Sequence, residues 1–134
     1  MTVFSKTYQL PFSIKETYQN WISNDTVVEP AERMDIQPEI GGRYQLVMPG
    51  GITMLGTFTE VVPNEKLAYS WHWQGDEETT MVQVTFNKTG KAAEHTLIRI
   101  THGDFSTEEA YNNHASGWDG YIKGFTELLQ SRKI

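Results

Sequence analysis

Apolar residues and one histidine in the last third of the chain recur at the spacing of a single helix face. Steps of about 100° per residue bring them within an arc of roughly 120°, the width of a core-facing stripe: Ala110, Tyr111, His114, Trp118, Tyr121, Ile122, Phe125, Leu128 and Leu129. Ser106 followed by Glu109 has the form of a capping box. The pattern predicts one long helix from about residue 107 to about residue 131, with Ser106 as N-cap and with Trp118 and Phe125 facing a sheet.

Three glycines, Gly117, Gly120 and Gly124, lie inside this predicted helix. Each glycine destabilises a helix interior by about 1 kcal/mol relative to alanine. Their presence indicates that another part of the chain approaches the helix closely, or that the helix bends. Close packing is the favoured interpretation, and a helix that moves over a ligand pocket is the alternative.

The first 101 residues alternate between strand-like and turn-like segments. The stretch from Val3 to Leu10 is rich in β-branched and aromatic residues and predicts a first strand. Ser13 followed by Glu16 is a second capping box and predicts a short helix. Between residues 33 and 101, five turn-forming segments separate six predicted strands: Gly41-Gly42, Pro49-Gly50-Gly51, Pro63-Asn64-Glu65, Gly75-Asp76 and Asn87-Lys88-Thr89-Gly90.

Within these strands the apolar side chains recur with a period of two: Tyr44, Leu46 and Met48; Leu67, Tyr69, Trp71 and Trp73; Val82, Val84 and Phe86; Ile98 and Ile100. The residues between them are mostly polar, which is typical of a sheet with one face in water. The other face must receive the long helix. No repeat or linker interrupts the pattern, so the sequence predicts one α+β domain over residues 1–134, in which the long helix packs on an antiparallel sheet.

Composition excludes several function classes. The chain has 134 residues and a net charge of −6, and no cluster of Lys or Arg stands out. Binding to nucleic acid or to an anionic membrane is therefore not predicted. No apolar run is long enough to span a membrane and no signal peptide is recognisable, so we expect a cytoplasmic protein. The chain contains no cysteine, which removes disulfides, thiolate catalysis and iron–sulfur ligation. We predict no cofactor and no metal.

A series of short motifs carries a family resemblance: Gly41-Gly42-Arg43-Tyr44, the segment from Gly56 to Leu67, Trp71, Val82-Gln83-Val84-Thr85-Phe86, Thr101-His102-Gly103 and Gly117-Trp118. In order and spacing, from about Tyr8 to Leu129, the chain resembles the Hsp90-ATPase-activator-like family of the START-like (SRPBCC) helix-grip superfamily. The resemblance implies a strongly curved antiparallel sheet of about seven strands, wrapped around the C-terminal helix and bent at Gly56. It also implies a cavity that many superfamily members use for a hydrophobic small molecule, and a chaperone as a candidate partner.

Phase alone predicts which side chains meet under the long helix. The strand members lie on the apolar face and the helix members lie on the apolar stripe: Tyr44, Met48, Phe58, Trp71, Trp73, His102, His114, Trp118 and Tyr121. In this predicted pocket the two histidines and Tyr121 are the polar anchors. Packing of the same side chains into a closed core is the alternative interpretation.

Three function classes remain open. A module that binds a hydrophobic or aromatic small molecule is favoured, and a chaperone-interacting or other protein-binding domain is second. A cyclase-like or hydrolase-like enzyme using His102, His114 or Tyr121 is third, because the sequence contains no recognisable catalytic motif. The acidic run Asp76-Glu77-Glu78 is interpreted as a solvated loop tip. An unpaired strand at the edge of an open sheet is compatible with a monomer or a homodimer.

Overall fold

The computed structural model describes residues 2–89 and 92–132. In this part of the chain eight strands and two α-helices follow one another: β1 Thr2–Leu10, α1 Ile14–Trp21, β2 Arg33–Ile36, β3 Tyr44–Val47, β4 Thr53–Leu55, β5 Phe58–Val62, β6 Lys66–Trp73, β7 Thr79–Thr89, β8 Ala92–Phe105 and α2 Glu108–Ser131. A 3-10 turn, Pro49–Gly51, connects β3 to β4. The turn predicted at Asn87-Lys88-Thr89-Gly90 is wrong for its first three residues, which continue β7 and pair with β8, and Gly90 lies outside the described residues.

All strands form one antiparallel sheet in the order β1-β8-β7-β6-β4-β3-β2, and β5 also pairs with β6. The sheet is curved, and the long C-terminal helix completes the arrangement. This confirms the predicted α+β helix-grip class, with eight strands in place of about seven.

The additional strand comes from a break at Gly56. The segment between residues 52 and 62 was expected to form one bent strand, but the chain forms β4 and β5, both of which pair with β6. A Cβ at Gly56 would lie 2.5 Å from Ser70 O and 2.7 Å from Tyr44 O. Only glycine fits between two backbone segments at this distance. The sheet is therefore kinked beside Tyr44, which lies on β3.

The helix caps agree with the sequence at α1 and differ by one residue at α2. Ser13 Oγ accepts a hydrogen bond from the backbone N–H of Glu16 at 3.1 Å, as predicted. In α2 the N-cap is Thr107, whose Oγ1 accepts from the N–H of Ala110 at 3.0 Å. The predicted cap Ser106 is wrong, because its own N–H donates to Glu78 Oε2 and it belongs to the connection that follows β8. Ser106 and Thr107 both carry a hydroxyl group, and the capping-box pattern selected the first of them in place of the second.

Trp118 and Phe125 of α2 are buried, with exposed fractions of 4% and 0%. This confirms the prediction of which helix face is turned away from solvent. The helix α1 adds Trp21 to this core. The Trp21 ring stacks on the Trp118 ring with a centroid separation of 6.2 Å and meets the Phe125 ring edge-on at 5.4 Å. The core under α2 is therefore built from aromatic residues of both helices.

We predict that Trp118→Ala lowers the free energy of unfolding by about 3–5 kcal/mol, because it removes a large buried ring and leaves a cavity. Urea denaturation followed by circular dichroism measures the change. Lys123→Ala on the exposed side of the same helix is the control, with an expected change within about 0.5 kcal/mol. A loss of less than about 1 kcal/mol for Trp118→Ala would contradict the packing described above.

The three helix glycines have two different environments. A Cβ at Gly124 would lie 2.7 Å from Val28 Cγ1, whereas a Cβ at Gly117 or Gly120 would meet no atom within 4 Å. Close packing, the favoured interpretation, therefore holds for Gly124 alone. Gly117 and Gly120 border open space.

We predict that Gly120→Ala raises the free energy of unfolding by about 0.5–1 kcal/mol, because alanine favours the helix and the added methyl group meets nothing. Gly124→Ala adds the same methyl group against Val28 and should gain less or lose stability. Thermal or urea denaturation of both variants provides the comparison. Equal stabilisation by the two substitutions would show that the contact with Val28 does not constrain the helix.

Candidate functional site

A cavity of about 600 Å³ lies where α2, the sheet and the connection between α1 and β2 meet. The helix contributes one wall, β3 and β6 contribute the opposite wall, and the connection contributes a third. The lining residues are Val28, Glu29, Pro30, Ala31, Tyr44, Leu46, Met48, Trp71, Trp73, Asp76, Ala110, Asn113, His114, Gly117, Trp118, Gly120 and Tyr121. Several of them, including Glu29, Asp76 and Asn113, are exposed, so the cavity is open to solvent at these residues.

Seven of the nine residues expected at the pocket line this cavity: Tyr44, Met48, Trp71, Trp73, His114, Trp118 and Tyr121. Phe58 and His102 do not. Phe58 is 1% exposed and packs against the rings of Tyr44 and Tyr69, so Tyr44 separates it from the cavity. His102 is fully buried behind the rings of Trp71 and Trp118. The alternation of a strand shows which face a side chain lies on, but it does not show how deep the side chain lies.

Sequence reasoning missed the connection residues 28–31, as well as Asp76. The sequence pattern places Asp76 in a solvated loop tip, and Asp76 is exposed. The turn that follows Trp73, which was predicted at the pocket, also brings Asp76 to the cavity lining. Asn113, Gly117 and Gly120 were also missed. They follow one another at helical spacing along the edge of the apolar stripe, which was a usable signal.

Arg132, at the end of α2, holds the connection in place. Its Nη1 donates to Thr26 Oγ1 at 2.9 Å and its Nη2 donates to the carbonyl oxygen of Asp25 at 2.8 Å. Val28 then packs against Gly124. The third wall of the cavity is therefore attached to the same helix that forms the first.

His114 links the helix to β6 through a hydrogen bond with an indole. Trp73 Nε1–H donates to His114 Nε2 at 3.0 Å, and His114 Nδ1 lies 2.7 Å from the carbonyl oxygen of Ala110. Since Nε2 is the acceptor, the proton of the neutral ring is on Nδ1 and is donated to Ala110. Both ring nitrogens are thus occupied, and His114 orients the Trp73 wall of the cavity.

His102 makes the same kind of bond one layer deeper. Trp118 Nε1–H donates to His102 Nδ1 at 3.0 Å, so the neutral ring carries its proton on Nε2, which lies 2.7 Å from Thr80 Oγ1. The Thr80 hydroxyl lies 3.4 Å from the carbonyl oxygen of Trp71. Burial, together with the nearby His114, lowers the pKa of His102 from 6.5 to about 3. The ring is therefore neutral near pH 7 and acts as a hydrogen-bond acceptor.

This shift predicts a loss of stability in acid. Because the pKa of His102 is 6.5 when unfolded and about 3 when folded, the unfolded chain binds the extra proton below about pH 6.5. The contribution of neutral His102 to the free energy of unfolding is complete above that pH and is lost as the pH falls toward about 3. Between about pH 6 and about pH 4, His102→Gln should reduce the slope of unfolding free energy against pH by roughly 1 kcal/mol per unit.

Urea denaturation at several pH values measures this slope. Glutamine can still accept from Trp118 and donate to Thr80, so the variant tests titration with the hydrogen bonds kept. His95→Gln, at a half-buried position outside the core, is the control. Equal slopes for wild type and His102→Gln would contradict the prediction.

Three tyrosines lie together beside the cavity. The rings of Tyr44 and Tyr69 stack at 4.1 Å, and burial raises the pKa of the Tyr44, Tyr69 and Tyr121 hydroxyl groups. These groups therefore stay neutral. Among the described residues, four buried groups have no partner of hydrogen-bonding geometry: the Tyr69 and Tyr121 hydroxyl groups and the indole N–H groups of Trp21 and Trp71. Of these four, Tyr121 and Trp71 belong to residues that line the cavity.

The cavity has an acidic character. Glu29 and Asp76 are the only charged residues in its lining, and no Lys or Arg is among the lining residues described. Asp76 Oδ1 accepts from the N–H groups of Glu77 and Glu78 at 2.7 and 3.3 Å, which fixes the carboxylate in its turn. In residues 2–89 and 92–132, no group of three or more His, Asp or Glu residues is placed to hold a metal ion.

None of the described helices is long and apolar enough to cross a membrane.

A helix-grip fold with an aromatic cavity under its C-terminal helix defines the class of this protein. The family model for "Activator of Hsp90 ATPase homolog 1-like protein" matches residues 11–130. The chain therefore belongs to that family, as the motifs indicated. A search of curated proteins finds no match.

Several solved structures share the fold. Protein MLL2253 from Mesorhizobium loti is 19% identical with a TM-score of 0.85, and the alignment covers 97% of this chain and 98% of that one. PFC0360w, an Hsp90 activator from Plasmodium falciparum, is 18% identical with a TM-score of 0.79 and 97% coverage of both chains. The Aha1 dimer from Colwellia psychrerythraea is 16% identical with a TM-score of 0.78 and 96% coverage of both chains.

Proposed function

We propose that this protein binds a hydrophobic or aromatic small molecule in the cavity under α2. The observation that carries the proposal is the cavity itself, with a volume of about 600 Å³. Sites for small molecules in proteins generally measure about 300–1,000 Å³ and combine apolar walls with a few polar groups. The lining of this cavity has that composition.

The walls suit a flat apolar ligand. Trp71, Trp73 and Trp118 contribute indole rings, and Tyr44 and Tyr121 contribute phenol rings. The bond from Trp73 to His114 and the bond from Trp118 to His102 hold two of these indoles in place before any ligand enters. Walls that are already ordered lower the entropy lost on binding.

The same contacts argue against the enzyme alternative. His102 is fully buried with a pKa lowered to about 3, and both ring nitrogens of His114 are occupied by Trp73 and Ala110. Burial raises the pKa of the Tyr121 hydroxyl well above its usual value. A general acid or base works best with a pKa near the working pH, and the shifts at His102 and Tyr121 move away from it.

We predict that Met48→Trp weakens binding of the neutral, environment-sensitive dye prodan by about tenfold or more, because the larger side chain fills part of the cavity that the dye would occupy. Met48 is half-buried in the lining. Met81→Trp is the matched control, since Met81 is 43% exposed and does not line the cavity. Fluorescence titration measures the affinity, and circular dichroism checks that both variants fold.

Saturable binding by wild type and Met81→Trp, with loss of binding in Met48→Trp, is the expected result. A thermal-shift screen of hydrophobic and aromatic compounds extends the test beyond one dye. Equal dye affinity in all three proteins, or no shift of the melting temperature across the whole screen, would overturn the proposal.

A chaperone-interacting function is the second candidate. Its first support is the family to which the chain belongs. Its second support is a pair of exposed apolar side chains: Val3 and Met81 are 52% and 43% exposed and lie on either side of Gly103. Exposed apolar groups that lie together are typical of protein contact sites. A failed ligand screen would favour this function over the first.

A further inference from the structure

We propose that the cavity selects organic cations, namely amines carried on an apolar or aromatic body, over anions of the same shape. This rests on the proposed small-molecule function and specifies the charge of the ligand. The juxtaposition that carries it is an aromatic cavity in which, among the described residues, Glu29 and Asp76 are the only charged lining residues.

The first argument concerns local charge. An anion that enters the cavity meets two carboxylates and no lysine or arginine in the lining described. No charged donor compensates for the water that the anion loses, and desolvation of an unpaired charge is unfavourable. An ammonium group meets the opposite condition, because Glu29 and Asp76 attract it at the open side of the cavity.

The second argument concerns the walls. Indole and phenol rings carry negative potential on their faces and attract cations within about 6 Å, with tryptophan the strongest. Trp71, Trp73 and Trp118 all line the cavity. An amine can therefore be stabilised by the rings as well as by the carboxylates, whereas a carboxylate or sulfonate gains nothing from the ring faces.

The third argument concerns the polar groups of the interior. The phenol groups of Tyr44 and Tyr121 remain protonated because burial raises their pKa, so they add no charge of their own. The whole chain has a net charge of −6, which also increases the local concentration of cations around it. Local charge, walls and overall field all favour the same sign.

Three ligands with one aromatic body test the proposal: 1-naphthylmethylamine, 1-naphthalenemethanol and 1-naphthoate. Near neutral pH they are a cation, a neutral alcohol and an anion. Isothermal titration calorimetry measures each dissociation constant. We expect the amine to bind about tenfold more tightly than the carboxylate, with the alcohol between them, because the carboxylates lie at the wet side of the cavity and are partly screened.

The double variant Glu29→Gln and Asp76→Asn removes the two charges and keeps side chains of similar shape. The amide oxygen introduced by Asp76→Asn can still accept from the N–H groups of Glu77 and Glu78. We expect the ratio of the two charged ligands to fall to within about twofold. The matched control is Glu39→Gln with Glu127→Gln, which changes the net charge equally at exposed positions outside the cavity and should keep most of the ratio.

The outcomes separate this proposal from the function on which it rests. Binding of the alcohol, with equal or tighter binding of the carboxylate than of the amine, would overturn the charge selectivity and leave the small-molecule function standing. An equal fall of the ratio in the two double variants would also overturn it, because the overall field would then be responsible. Failure of all three ligands together with the wider screen would overturn both.

Discussion

The packing of Trp118 between the sheet and α1 is the interaction on which the site depends. The ring stacks on Trp21, and the indole N–H donates to His102 on β8. One side chain thus joins the long helix, the short helix and the sheet. Because Trp118 also lines the cavity, the contact that holds α2 on the sheet sets the distance between the cavity walls. Stability and shape of the site are therefore coupled at this residue.

The interior contains large aromatic rings with polar N–H groups, and two hydrogen-bonded indole–imidazole pairs satisfy two of these groups. In each pair a tryptophan N–H donates to a neutral histidine, Trp118 to His102 and Trp73 to His114. A buried indole N–H without an acceptor would be unfavourable by about 1–3 kcal/mol. The histidines, which looked like candidates for catalysis, instead satisfy the donors of the walls. Among the described residues, the indole N–H groups of Trp21 and Trp71 have no such partner, and Trp71 is the one of the two that lines the cavity.

Periodicity predicted the helix-on-sheet arrangement because each element has one apolar face, and it predicted seven of the lining residues because those faces meet. It did not predict depth. Phe58 and His102 have the correct phase but lie behind Tyr44 and behind the two tryptophans. It also did not predict Val28 or Asp76, because their positions depend on the long-range contacts of Arg132 and on a turn. The kink at Gly56 was expected, but its division of the strand depends on the approach of Ser70 and Tyr44.

The distribution of tryptophan has a spectroscopic consequence. The chain contains four tryptophans. Three of them, Trp71, Trp73 and Trp118, line the cavity, and Trp21 stacks on Trp118. The tryptophan emission of the protein therefore originates from one cluster, and no distant indole contributes to it. Neighbouring indole rings of the cluster are about 6 Å apart, so a molecule that enters beside one ring also lies close to the next. A ligand that binds in the candidate site should therefore change the intrinsic tryptophan fluorescence of the protein.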